Sequence, residues 1–95
     1  MEFGNVFSGL ARKQKITDSE MIRALRICLA SEYEAAQLYQ QLAESITDKT
    51  AIKVLTDIAN EELIHVGEFH RLIHELSPDD EKYCKLGMKE VERIL

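Results

Sequence analysis

The stretch AIKVLTDIANEELIHVGEFHRLIHEL, Ala51 to Leu76, decides the fold. Within it Ile52, Leu55, Ala59, Glu62, Val66, Phe69, Ile73 and Leu76 recur by threes and fours. That spacing lines one face of an α-helix and suits packing against a second helix. The face is apolar except at Glu62, a carboxylate in the middle of the seam. The pattern predicts a helix from about Thr50 to Leu76.

Working upstream, Ile22, Leu25, Leu29, Glu32, Ala36, Tyr39, Ala43 and Ile46 repeat the same spacing, again with one carboxylate, Glu32, in the seam. Thr17 followed by Glu20 has the form of a capping box, in which hydroxyl and carboxylate satisfy backbone N–H groups at a helix start. A helix from about Asp18 to Ile46 follows. The short Thr47-Asp48-Lys49-Thr50 connection requires the two helices to pack antiparallel, so Glu32 and Glu62, each near mid-helix, meet at one level. Downstream, Ser77-Pro78-Asp79-Asp80 starts a third helix, since Pro suits the first helical position and acids favour the positive end of the helix dipole. It is expected near Asp79 to Ile94, interrupted at Gly87, with Tyr83, Leu86 and Val91 as packing or ring-interface material. Residues 1–16 read as a loose arm ahead of a helical domain spanning 17–95.

The composition agrees with an all-α chain. Four Gly and one Pro in 95 residues are too few for the frequent turns of a sandwich or barrel. With 12 Lys+Arg against 17 Asp+Glu the net charge is −5, which excludes a nucleic-acid binder resting on bulk charge. No apolar run approaches the roughly 20 residues needed to span a membrane, and residues 1–15 lack signal-peptide order, so a cytoplasmic protein is expected. Cys28 and Cys84 lack CxxC spacing and suggest neither a disulfide scaffold nor a zinc knuckle. A chain this short builds a thin core, for which oligomerisation compensates.

Burying two facing carboxylates costs several kcal/mol (about that order) unless they are neutralised or bind a cation. His65 lies three residues after Glu62 on the same side of the helix, so both reach one ion. Mixed oxygen and imidazole donors suit Fe, Mn or Zn better than Mg or Ca. Alone, the Glu62-Leu63-Ile64-His65 motif is weak; Glu32 at matching depth on the partner helix makes it a metal site. Ferritin-like di-metal bundles use one Glu from each of two helices and one Glu-x-x-His from each of two others. This chain holds one of each, and no second Glu-x-x-His exists. Two-fold pairing completes the set, with Glu32, Glu62 and His65 of both chains holding two irons at the dimer axis. Tyr39, two turns after Glu32, is either a core tyrosine or a group close to the ion. His70 and His74 have two-histidine metal spacing but point away from the Glu62 face, and are read as exposed. Glu61 and Glu68 are read as a solvated acidic face, with guidance of cations inward as a second role.

The runs Ser31-Glu32-Tyr33-Glu34-Ala35-Ala36-Gln37-Leu38-Tyr39 and Asn60-Glu61-Glu62-Leu63-Ile64-His65-Val66-Gly67-Glu68-Phe69 closely resemble the encapsulated ferritins. These are truncated ferritin-like proteins of bacteria and archaea, related at motif level to rubrerythrins. The resemblance covers about Asp18 to Leu95. It implies a protomer built on two helices whose homodimer forms a ferroxidase centre and assembles into a ring-shaped decamer. It also implies an encapsulin shell as partner, which stores the ferric mineral. Glu32, Glu62 and His65 match the family's iron ligands, and Tyr39 matches a position beside or on the metal. Where some relatives carry an acidic pair as a metal-uptake site, this chain has Ser31 and retains Glu34. Stand-alone relatives carry a shell-targeting tail, whereas this sequence stops at Leu95; a fusion front, a truncated form and a free relative stay open. Two other readings compete: a rubrerythrin-like peroxide reductase, which lacks a CxxC electron-transfer site here, and a non-catalytic helical interaction module.

Overall fold

A computed structural model of the chain describes residue 11 and residues 13–95. These form three helices: α1 (Asp18–Glu44), α2 (Lys49–Leu76) and α3 (Pro78–Glu92). No strand occurs among the described residues, so the all-α expectation holds. Most of the arm expected over 1–16 lies outside the described residues.

Each helix starts where a side chain can satisfy its free N–H groups. At α1 the capping box closes as expected: the Glu20 N–H donates to Thr17 Oγ1 at 3.2 Å and the Thr17 N–H to Glu20 Oε1 at 3.0 Å. At α2 Asp48 is the cap, its Oδ1 accepting from the Ala51 N–H at 2.9 Å. Asp48 must be extended to do this, and α1 accordingly ends at Glu44, two residues before the expected Ile46. Ser45 finishes α1, its N–H donating to the Leu42 carbonyl at 3.0 Å.

Ser77 serves two helices at once. Its N–H donates to the Ile73 carbonyl at 2.7 Å, closing α2, while its hydroxyl oxygen accepts from the Asp80 N–H at 3.3 Å, opening α3. Pro78 takes the first position of α3, as expected. The expected interruption at Gly87 is absent: α3 runs through it to Glu92. Glycine lacks a Cβ but keeps its N–H, so one Gly weakens a helix by about 1 kcal/mol without ending it.

The hairpin core is small-residue packing. Ala36, Ala43, Ala59, Val66 and Ile73 are the buried hydrophobics, all of them seam positions. Alanines at 36, 43 and 59 let the backbones approach, while Leu25, Leu29, Tyr39, Leu55 and Phe69 are only half-buried. Leu38, Leu42, Val54, Leu63, Ile64 and Leu72 remain exposed. A two-helix hairpin has one internal interface, so apolar residues on its other flanks stay uncovered among the described residues.

α3 packs on α2 and is tied to α1 by an ion pair. Arg26 donates from Nε to Asp80 Oδ2 at 3.0 Å and from Nη2 to Oδ1 at 2.6 Å, a bidentate fork. The Arg26 hydrogen bonds, with the Ser77 hydroxyl donating to Oδ1 at 2.7 Å, hold the Asp80 carboxyl below the ordinary aspartate range.

Candidate metal centre

Glu32 of α1 sits one turn before Ala36, and Glu62 of α2 one turn after Ala59. These alanines are 2% and 1% exposed, within the interface between the two helices. The antiparallel packing brings the two mid-seam acids to the same level, as the heptad spacing requires. His65 completes the group, and one donor atom from each of Glu32, Glu62 and His65 lies within 4.8 Å of the others. No other such trio of His, Cys, Asp or Glu occurs among the described residues.

The His65 Nδ1 lies 3.4 Å from Glu32 Oε2 and 3.5 Å from Glu62 Oε2. Both separations exceed the usual N–H···O distance of about 2.9–3.0 Å. They match the edge of a tetrahedral shell whose donors stand about 2.1 Å from a central ion, roughly 3.4 Å. The acids are mostly sheltered, with side chains 21% and 19% exposed, whereas the imidazole is 46% exposed. Among the described residues no Lys or Arg pairs with either acid.

Glu32 Oε2 is buried and accepts no hydrogen bond. Leaving a buried acceptor unpaired costs about 1–3 kcal/mol, more when it is charged. A cation in the trio removes that cost, and mixed carboxylate and imidazole donors suit iron, manganese or zinc. The residues present therefore fit a transition-metal ion.

The remaining sequence candidates lie apart. Glu34 is exposed and outside the trio. Ser31 spends its hydroxyl on the Ile27 carbonyl at 3.0 Å. Tyr39 is half-buried on α1, about 10 Å along the axis from Glu32 by helical rise, and makes no hydrogen bond with the trio. Glu32 and His65 also line an open cleft of about 410 Å³ with Glu68, Phe69 and Leu72. Glu68 is exposed, as expected of a solvated acidic face, and lies at the mouth of the site, where the sequence reading also has it guiding cations inward. His70 and His74, expected to be exposed, are half-buried beneath α3.

No family model matches the chain. It is 36% identical over 83 residues to the ferritin-like-encapsulin shell fusion protein of Pyrococcus furiosus, covering 87% of this chain and 24% of that protein. It is 28% identical over 90 residues to the encapsulin nanocompartment cargo protein EncC of Myxococcus xanthus, covering 95% of this chain and 68% of that one. The chain thus spans about a quarter of the fusion protein's length. In three dimensions it superposes on the crystal structure of the encapsulated ferritin domain from Pyrococcus furiosus with a TM-score of 0.83 at 36% identity. That match covers 88% of this chain and 86% of the domain.

Proposed function

The chain belongs to the encapsulated ferritin-like proteins, and on that premise we propose that it is a ferroxidase, oxidising Fe(II) to Fe(III) at a di-iron centre shared between two copies. The observation that carries this reading is the trio itself: two carboxylates and an imidazole from two helices, with Glu32 Oε2 buried and unpaired. Iron is here the substrate, and dioxygen accepts its electrons.

Each chain offers half of a ferritin-like donor set, a lone Glu and one Glu-x-x-His. A second copy related by a two-fold axis supplies the other half and covers exposed apolar residues such as Leu63, Ile64 and Leu72. In this assembly Glu32 and Glu62 hold the ferrous ions and offset their charge, while His65 contributes a neutral nitrogen donor. Incomplete encirclement leaves coordination positions for the oxidant. Tyr39, two turns farther along α1, flanks the shared site rather than joining it, and the exposed Glu34 and Glu68 draw cations toward it.

The homodimers assemble further into a ring-shaped decamer. The relatives are named as an encapsulin shell fusion and as encapsulin cargo. The same setting for this chain places it inside an encapsulin nanocompartment of the cytoplasm, where the shell retains ferric product for iron storage and detoxification.

The test is oxidation of anaerobically added Fe(II) after oxygen is admitted, comparing the unaltered chain with Glu32→Ala, Glu62→Ala and His65→Ala. Rapid oxidation lost in all three variants is the expected result. Oxidation no faster than in the variants overturns the proposal, and faster turnover with hydrogen peroxide than with oxygen replaces it with a rubrerythrin-like peroxide reductase.

A further inference from the structure

Where α3 folds back over the end of the hairpin, a cavity of about 150 Å³ is lined by Arg26, His70, Ile73, His74, Asp80 and Cys84. None of these belongs to the Glu32–Glu62–His65 trio. His70 and His74 are one turn apart on α2, half-buried, with ring centroids separated by 5.8 Å and planes inclined by 53°. Histidines at i and i+4 on one helical face form a two-point chelate for a metal ion. Two imidazoles bound to one tetrahedral ion, each nitrogen about 2.1 Å from it, place their centroids roughly 5 Å apart. Cys84, a half-buried free thiol on α3, faces the same cavity from the other side.

The charged residues in the cavity do not oppose a cation. Arg26 is engaged in its bidentate pair with Asp80. Asp80 in turn has both oxygens occupied, Oδ1 by Arg26 and Ser77 and Oδ2 by Arg26, so it is not free to be a ligand. What remains is a donor set of two imidazoles and one thiol.

We propose that His70, His74 and Cys84 form a second metal site, taking a borderline-soft divalent ion of the Zn2+ type and fastening α3 to α2. Thiolate and imidazole donors together select such an ion over Mg2+ or Ca2+. On coordination the Cys84 thiol releases its proton to solvent, and water fills the fourth position. Unlike the Glu32 trio, these donors are not already within 4.8 Å of one another, so the site closes by side-chain rotation as the metal binds. Such a site gives α3, otherwise held by packing on α2 and one ion pair, a cross-link near its centre.

The probe is Co2+ alone, added to the full chain carrying Glu32→Ala and Glu62→Ala so that the trio does not compete. A thiolate-to-cobalt charge-transfer band saturating at a single equivalent per chain is expected, displaced by Zn2+. Cys84→Ser abolishes the band, Cys28→Ser leaves it intact, and His70→Ala or His74→Ala weakens Co2+ binding by about tenfold or more. Helical circular dichroism verifies folding of each variant. In the chain with an intact trio, Cys84→Ser removes the band while leaving iron oxidation unchanged, which separates the two sites. Absence of a thiolate band, or a band that survives Cys84→Ser, overturns the proposal.

Discussion

Glu32 and His65 face each other across the α1–α2 interface, with Glu32 Oε2 3.4 Å from His65 Nδ1 yet buried and without a hydrogen bond. This geometry is poor for a metal-free protein and good for a metal-bound one, so stability and metal binding should respond oppositely to its removal. Glu32→Gln keeps the shape and removes the charge. The metal-free variant is expected to be as stable as the parent or more so, by up to about 1–3 kcal/mol. Metal should raise the parent's melting temperature, by the equivalent of about 2.7 kcal/mol at a free concentration one hundred times Kd, and the variant's far less. Thermal melts with and without Fe(II) under anaerobic conditions check both signs.

The exposed apolar residues beside the site predict an interface variant that folds but does not pair. Ile64 is 63% exposed in the single chain, so Ile64→Lys should change the protomer's own stability by no more than about 0.5 kcal/mol. At a dimer interface the buried lysine opposes association. Light scattering should show a smaller species, with helical circular dichroism retained and iron oxidation per chain reduced.

The Asp80–Arg26 pair gives α3 a defined acid sensitivity. The Asp80 carboxyl is lowered in the folded chain, chiefly by the Arg26 hydrogen bonds and then by Ser77. Stability from a lowered acid is fully present above the ordinary aspartate value, about 3.9, and is lost as pH falls through the lower folded value. Asp80→Asn should therefore melt below the parent at neutral pH, the gap closing only under pH 4. The effect should be small, since Arg26 is exposed and salt screens the pair. Melting curves across pH at low and high salt test the sign.

Thr17 supplies one half of the α1 capping box. Thr17→Ala should cost about 1 kcal/mol. For a domain of this size that lowers the melting temperature by about 4–8 °C, with metal binding unchanged.

Both long helices and the trio were legible from spacing alone, because the seams of α1 and α2 each contain one carboxylate that a core would exclude. Helix ends were less legible. Asp48 competes successfully as a cap and pulls α1 short at Glu44, a choice that depends on backbone geometry in the connection. The least legible feature was α3's placement. It is set by Ser77, which ends one helix and starts the next, and by Arg26 reaching a residue 54 positions away. A helical wheel of α2 alone shows His70 and His74 on an outer face; only the return of α3 shelters them.

The most direct test of a shared centre is the rate of iron oxidation per chain measured across a dilution series spanning the dimer's dissociation. A centre built from two copies predicts a per-chain rate that rises with protein concentration and levels off where light scattering reports full association. A per-chain rate that stays constant down to concentrations where the protein is monomeric would contradict it.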